Sequence, residues 1–280
     1  MFLAHTNDLK NKTYIPIEQL NKRNVLVSDD CYKLVSNICP HQGSLISESA
    51  GDTDIRICPY HNWSFELSGK PIASGRTNHY CQNTKHLSSK DIFEFKNLIF
   101  TKEVVAKELH WLDLSNMRLV EQRIDRVDAN ASHIMDIFLD VDHIETVHKG
   151  VYDKLGFPSI NEVQWHYYNW GSLQLIRKGE VYVAAWLAVY PGTMIEWQDG
   201  ALFITVTKAS NVGTDVHVFK YMDITREEDW VLNNQVWEES WQQDKEQAAR
   251  MTTPFNTNLE ESKKHFRKWT NENSHNPQLI

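Results

Sequence analysis

Two short segments carry thiols and imidazoles side by side. Cys39-Pro40-His41 and Cys58-Pro59-Tyr60-His61 form the pattern C-x-H-x16-C-x2-H. Thiolate and imidazole are the softer protein ligands, so four of them in paired loops suit a transition-metal centre. The pairing of one cysteine with one histidine in each loop is the informative feature. A structural zinc site more often draws two cysteines from a loop, and it stands as the alternative. A two-iron, two-sulfide cluster with two cysteines on one iron and two histidines on the other needs each loop to reach across it. Histidine ligation raises the reduction potential relative to four-cysteine clusters, which suits an acceptor of electrons. Of the four cysteines, Cys31 and Cys81 lie outside the pattern and read as ordinary thiols.

Farther along, Asp140-Val-Asp-His143 and then His148 give D-x2-H-x4-H. An ideal helix turns by about 100° per residue, so histidines five apart point in different directions. They can share a metal only where the helix is broken or unwound between them. Taken alone, the spacing fits surface histidines equally well.

The segments CPHQGSL and CPYHNWSFELSGK closely resemble the two cluster-binding loops of Rieske oxygenases, and D-x2-H-x4-H resembles the iron-binding segment of the same family. The chain departs from the family at Gln42, where many relatives have arginine, at Asn62, where many have glycine, and at Ile137, where many have asparagine. Asparagine tolerates the left-handed backbone better than most residues. The resemblance implies a [2Fe-2S] cluster on Cys39, His41, Cys58 and His61. It also implies a mononuclear Fe(II) on His143, His148 and a carboxylate from a late helix. Trp241-Gln242-Gln243-Asp244-Lys245-Glu246 resembles that helix and makes Asp244 the third ligand, with Glu239 and Glu246 as rivals. A 2-His-1-carboxylate triad leaves positions open for dioxygen and substrate.

Asp140 lies one turn before His143, within reach of its free ring nitrogen. In the family the matching aspartate also links the iron histidine to a cluster histidine, here His41 or His61, of a neighbouring subunit. The resemblance therefore implies a head-to-tail ring, commonly a homotrimer. A ferredoxin or flavin reductase would supply its electrons. The implied activity is hydroxylation, or oxidative O- or N-demethylation, of a small organic substrate with dioxygen as co-substrate. The alternative is a Rieske electron carrier or ligand-binding module without oxygenase turnover. Iron stoichiometry separates the two.

These residues need elements to hold them. The first hundred residues read as short strands and turns. Asn24–Val27 and Tyr32–Val35 flank Ser28-Asp29-Asp30, Ile55–Ile57 precedes Cys58, Trp63–Leu67 precedes Ser68-Gly69-Lys70, and Ile92–Phe100 alternates. This predicts an all-β domain over residues 1–105. Arg126–His148 has helical periodicity at Ile134, Ile137, Phe138, Val141 and Ile144. Residues 161–223 are β-rich, and Arg226–Met251 is helical again. Residues 252–280 are polar and predict a short exposed helix and a frayed tail. The fold class expected is α+β. The all-β Rieske domain precedes a catalytic domain over residues 106–280, an antiparallel sheet with helices, and the resemblance makes this a helix-grip (START-like) fold.

Net charge of −8 argues against a nucleic-acid partner. The longest apolar run, Val181–Tyr190, is too short for a membrane span and ends at Pro191. The N-terminal MFLAHTNDLKNKTY lacks the plan of a secretory signal, which predicts a cytoplasmic protein. Trp165, Tyr167, Tyr168, Trp170, Trp186, Tyr190 and Trp197 are candidates for an aromatic wall that could stack a ring or hold an alkylammonium group. Core packing is the plainer account of any one of them.

Overall fold

A computed structural model describes residues 1–28, 31–73, 85–156, 163–251 and 261–273. Cys81, the tip of the first predicted hairpin and the predicted tail beyond residue 273 lie outside the described residues. The chain divides into one compact unit over Phe2–Val105 and a second comprising Ala106–Ile280 with Met1.

Among its described residues the first unit holds ten short strands: β1 (Phe2–His5), β2 (Tyr14–Pro16), β3 (Asn24–Ser28), β4 (Tyr32–Ser36), β5 (Ile55–Ile57), β6 (Ser64–Glu66), β7 (Pro71–Ala73), β8 (Ser89–Asp91), β9 (Phe93–Phe95) and β10 (Leu98–Phe100). They form sheets in the orders β1-β10-β9, β2-β3-β4-β8 and β5-β6-β7. The segment predicted as one strand over Ile92–Phe100 is a hairpin. Lys96 and Asn97 both adopt positive φ, the geometry of a tight two-residue turn. Val25, Val27, Val35, Ile46, Phe65, Leu67 and Leu87 form an apolar core that also encloses Cys39 and Cys58.

The second unit is built on a seven-stranded antiparallel sheet. Its strands are β11 (Met117–Val127), β12 (Val163–Tyr168), β13 (Gly171–Lys178), β14 (Val181–Val189), β15 (Thr193–Gln198), β16 (Ala201–Ser210) and β17 (Gly213–Asp223), in the order β11-β17-β16-β15-β14-β13-β12. Among the described residues three helices accompany it: α1 (Ala131–Phe138), α2 (Glu227–Arg250) and α3 (Glu261–Asn273). One face of the sheet packs on α1 and α2. Phe203, Ala201, Val216 and Val218 meet Ile134, Ile137, Trp237 and Trp241 there, while Ala184, Trp186 and Ala188 meet Met135, Leu139 and Val236.

Two expectations are corrected. The helix predicted over Arg126–His148 is only Ala131–Phe138, because residues through Val127 belong to β11 and pair with β17. Beyond Leu139 the chain makes a single tight turn over Asp142–Glu145. The Asp140 carboxylate accepts hydrogen bonds from the backbone N–H of Asp142 (3.0 Å) and His143 (3.2 Å), which competes with helical bonding. The C-terminal helix is not merely an exposed one: Ser262, Phe266 and Trp269 are buried, and the two rings join the cluster around Tyr190.

Candidate functional site

In the first unit, Cys39 and Cys58 sit at the base of two loops with matching turns. The N–H of Gly43 donates to the Cys39 carbonyl at 2.9 Å, and the N–H of Asn62 donates to the Cys58 carbonyl at 2.9 Å. Gly43 and Asn62 both adopt positive φ, 76° and 59°. Asparagine therefore fills a left-handed position that glycine would fill without strain. Burial raises the Cys39 thiol above its usual pKa, and the neighbouring Cys58 thiol adds to the shift. The backbone N–H groups of His41 and Gln42 oppose it by donating to the sulfur. Gln42 thus serves Cys39 through its main chain, which is indifferent to the side chain it carries.

The His41 and His61 rings lie 4.7 Å apart between centroids, and Trp63 stacks on His41 at 4.8 Å. His61 Nδ1 is buried without a hydrogen-bond partner. Two buried thiols, two adjacent imidazoles and an orphaned ring nitrogen fit a histidine- and cysteine-ligated [2Fe-2S] cluster.

In the second unit the break after α1 lets the two histidines converge. His143 Nε2 and His148 Nε2 are 3.0 Å apart, and Asp244 Oδ1 lies 3.3 Å from the first and 3.0 Å from the second. Among the described residues these three form the one group of at least three histidine, cysteine or carboxylate side chains close enough to hold a metal ion. Partners on the far side of each ring fix the tautomers. His148 Nδ1 is 2.7 Å from Gln243 Oε1, which can only accept, so the proton is on Nδ1. His143 Nδ1 bonds the Asp140 carbonyl in the same way. Both Nε2 lone pairs therefore face each other and a carboxylate oxygen. Metal–ligand bonds of about 2.0–2.1 Å meeting at right angles put neighbouring ligand atoms about 3 Å apart. The observed triangle fits a facial Fe(II) site. Burial disfavours the charged form of both groups, yet the Asp244 carboxylate beside it raises the His148 pKa. The two imidazoles likewise hold Asp244 below its ordinary value.

Helix phase brings Asp244 to this point. Asn233, Val236, Trp237, Ser240, Trp241, Asp244 and Ala248 make up the buried stripe of α2. The rivals lie off that stripe: Glu239 pairs with Lys154 at 2.6 Å, and Glu246 accepts from Gln242 at 3.0 Å. Asp140 is placed differently from the sequence reading. Its carbonyl, not its carboxylate, holds the His143 ring, while the carboxylate pairs with Lys263 at 2.7 Å. Ile137 is buried in the apolar cluster with Trp237, so that position packs rather than hydrogen-bonds.

Sequence reasoning passed over four residues: Trp63, Gln243, Lys263 and Glu196. Gln243 could have been found as the amide beside a ligand carboxylate. Glu196 stands out only as a lone acid in the strand Thr193–Gln198. Burial pushes its carboxyl up to about 7. The Trp237 N–H and His148 pull it down, and the Asp244 charge adds to the rise. Of the predicted aromatic wall, Trp186 is buried beside Tyr152, whereas Tyr168 and Trp170 stack on each other.

Residues 1–85 match the Rieske [2Fe-2S] domain family. The chain is 23% identical over 289 residues to putrescine 2-hydroxylase of Ralstonia nicotianae, covering 85% of this chain and 78% of that protein. It is 23% identical over 191 residues to the carnitine monooxygenase oxygenase subunit of Acinetobacter pittii, covering 60% of this chain and 50% of that one. The quaternary ammonium Rieske monooxygenase CntA with L-carnitine superposes with TM-score 0.67 at 15% identity, over 89% of this chain and 76% of that one. NdmA of Pseudomonas putida CBB5 with caffeine superposes with TM-score 0.57 at 16% identity, over 97% and 89%. The matches reach from the cysteine–histidine loops through the unit that carries the triad: residues 1–85 form a Rieske [2Fe-2S] domain, and the chain as a whole is similar to Rieske oxygenases in sequence and in fold.

Proposed function

We propose that this oxygenase acts as a monooxygenase on a small amine-bearing substrate, with Cys39, His41, Cys58 and His61 holding the cluster and His143, His148 and Asp244 holding Fe(II). The convergence of three lone-pair atoms within 3.3 Å carries the iron assignment. The two groups together supply stored electrons and a ferrous centre that activates dioxygen. The chain's own residues set the rest. Gln243 and the Asp140 carbonyl fix the tautomers of the histidines. Tyr152 and Trp186 wall the space beside them with rings 6.0 Å apart, which keeps water away from an oxidising site. Asp140 is assigned the link from its own His143 to a cluster histidine of a neighbouring subunit.

The amine preference rests on the relatives, a putrescine hydroxylase and a carnitine monooxygenase subunit. Inter-subunit electron transfer is described for a quaternary ammonium Rieske monooxygenase, with which this chain shares a TM-score of 0.71 at 14% identity, over 98% of this chain and 88% of that one. It supports a ring of subunits, commonly three, fed by a ferredoxin or flavin reductase. No helix among the described residues is long and apolar enough to cross a membrane, and we assign the protein to the cytoplasm.

Electron paramagnetic resonance of the reduced, anaerobic protein tests the reading. A Rieske signal together with a nitric oxide adduct of the ferrous site is expected. His143→Ala should keep the visible absorption of the cluster and lose the mononuclear iron and turnover. Retained turnover in that variant would show the site to be misassigned.

A further inference from the structure

Glu196 lies in the middle of β15, on the face of the sheet that packs against α1 and α2. Its register partners are Trp186 on β14 and Phe203 on β16, and paired residues share a face. The residue is 7% exposed. Its Oε1 accepts one hydrogen bond, from Trp237 Nε1 at 3.2 Å. No Lys, Arg or His among the described residues forms an ion pair with it. The nearest cation along the same cross-strand row, Lys220, is committed to Asn234, Glu121 and Glu238. A buried carboxylate with a single neutral partner is costly, so the group either holds a proton or gains a positive partner.

The surroundings indicate what that partner is. Next to Trp186 in the row is Gln174, whose Nε2 donates to the Phe138 carbonyl at 3.3 Å. Its Oε1 is buried with no partner, as is Trp186 Nε1. Gln198, two residues along β15 on the same face, has neither amide atom partnered. The Tyr152 ring stands edge-on to Trp186. The same Tyr152 ring lies 5.8 Å from the His148 ring, so the row that holds Trp186 and Glu196 leads to the iron triad. A carboxylate, an unfilled amide oxygen and aromatic faces are together the chemistry that recognises ammonium. Acceptors that lack donors favour a cation that still carries N–H bonds over a fully alkylated one.

We propose that Glu196 is the counter-ion for an N–H-bearing ammonium group of the substrate, holding the adjoining carbon chain against the iron triad. This rests on the oxygenase reading and adds the residue that selects the substrate class. Trp186 packs beside the alkyl chain, and Trp237 keeps the carboxylate aimed at the cation.

The test is calorimetric binding to the reduced anaerobic holoenzyme, with the metals assayed in the same samples. The probes are butylamine, putrescine and benzylamine, each matched with its alcohol, plus butyltrimethylammonium. The best amine should bind at least about tenfold more tightly than its alcohol and than the quaternary ion, the value of one charge-assisted hydrogen bond. Glu196→Gln should lose at least about tenfold in amine affinity, keep its iron and leave alcohol affinity unchanged. The ranking of ligands by the wild-type protein decides the matter even if the variant folds poorly. The proposal is overturned if no amine beats its alcohol, if the quaternary ion binds best, or if an iron-replete Glu196→Gln protein binds amines like the wild type. Three irons per chain with the alcohols preferred removes the Glu196 assignment alone. Two irons per chain removes the oxygenase reading and the assignment with it.

Discussion

Glu196→Gln should stabilise this protein against unfolding, and the gain should depend on pH. The Glu196 carboxyl is pushed by burial from 4.5 up to about 7. Below the unfolded value both the folded and the unfolded chain hold the proton, and the residue leaves stability unchanged. As pH rises further, the unfolded chain ionises while the folded one does not. The advantage of the protonated form is then lost progressively, until pH passes the folded value. A shift of roughly 2.5 units corresponds to about 3 kcal/mol at most. Glutamine keeps the shape and can accept from Trp237, but it has no proton to lose. The variant should match the wild type near pH 4.5 and exceed it by up to about 3 kcal/mol at pH 8. The measurement needs the mononuclear iron chelated away, because a dication on the triad would pull Glu196 down and shrink the effect. Urea unfolding followed by tryptophan fluorescence reports the right unit, since Trp63 alone of the ten tryptophans precedes residue 106. A stability difference that does not change between pH 5 and pH 8, or a variant weaker than the wild type at pH 8, would refute the reasoning.

Two further outcomes follow from the hydrogen bonds around the triad. Gln243→Leu removes the acceptor that fixes the His148 ring and should weaken iron binding about 10–100-fold, read by anaerobic iron titration, while leaving the cluster spectrum intact. Asp140→Asn should keep both metal centres and slow electron delivery to the iron severely in single-turnover measurements. A normal rate would remove the assigned link.

The cluster loops were legible because each is local. Four candidate ligands lie within two short turns, and the residues that shape those turns, Gly43 and Asn62, sit beside them in sequence. Asp244 was legible for another reason: it shares the phase of Trp237 and Trp241 on a long helix, so a buried stripe carries it inward. The end of α1 was not legible. Ile134, Ile137, Phe138, Val141 and Ile144 keep helical spacing past Leu139, and nothing local forbids a longer helix. What ends it is partly Asp140 capturing N–H groups of the turn and partly a contact from 123 residues away, Ser262 Oγ donating to the Leu139 carbonyl at 2.7 Å. Glu196 was invisible for a similar reason. One acid in a strand means little until its cross-strand partners are known to be buried and without a compensating charge.

The C-terminal helix gives this distant contact its meaning. Within one turn and a half, α3 sends Ser262 to Leu139, Lys263 to Asp140 and Arg267 to Asp136, each a partner on α1 or just beyond it. Both ion pairs are largely shielded from solvent, where the cost of desolvating the charges offsets much of their mutual attraction, so the charged contacts alone would not hold the helix in place. Phe266 and Trp269 do so by burying rings worth about 1.5–3 kcal/mol each, 5.0 and 5.7 Å from the Tyr190 ring. Apolar burial thus supplies the anchor, and the polar residues between use it to set the position of the histidine segment. For Asp140 the consequence is specific. One carboxylate oxygen bonds the turn's N–H groups and the other bonds Lys263, so the group is held in a fixed orientation within its own chain. In the proposed ring of subunits, a histidine approaching from the neighbour would meet a fixed acceptor with lone pairs left to offer. The ordering cost of the proposed electron link would then be met by the fold of α3 and not at the moment of contact.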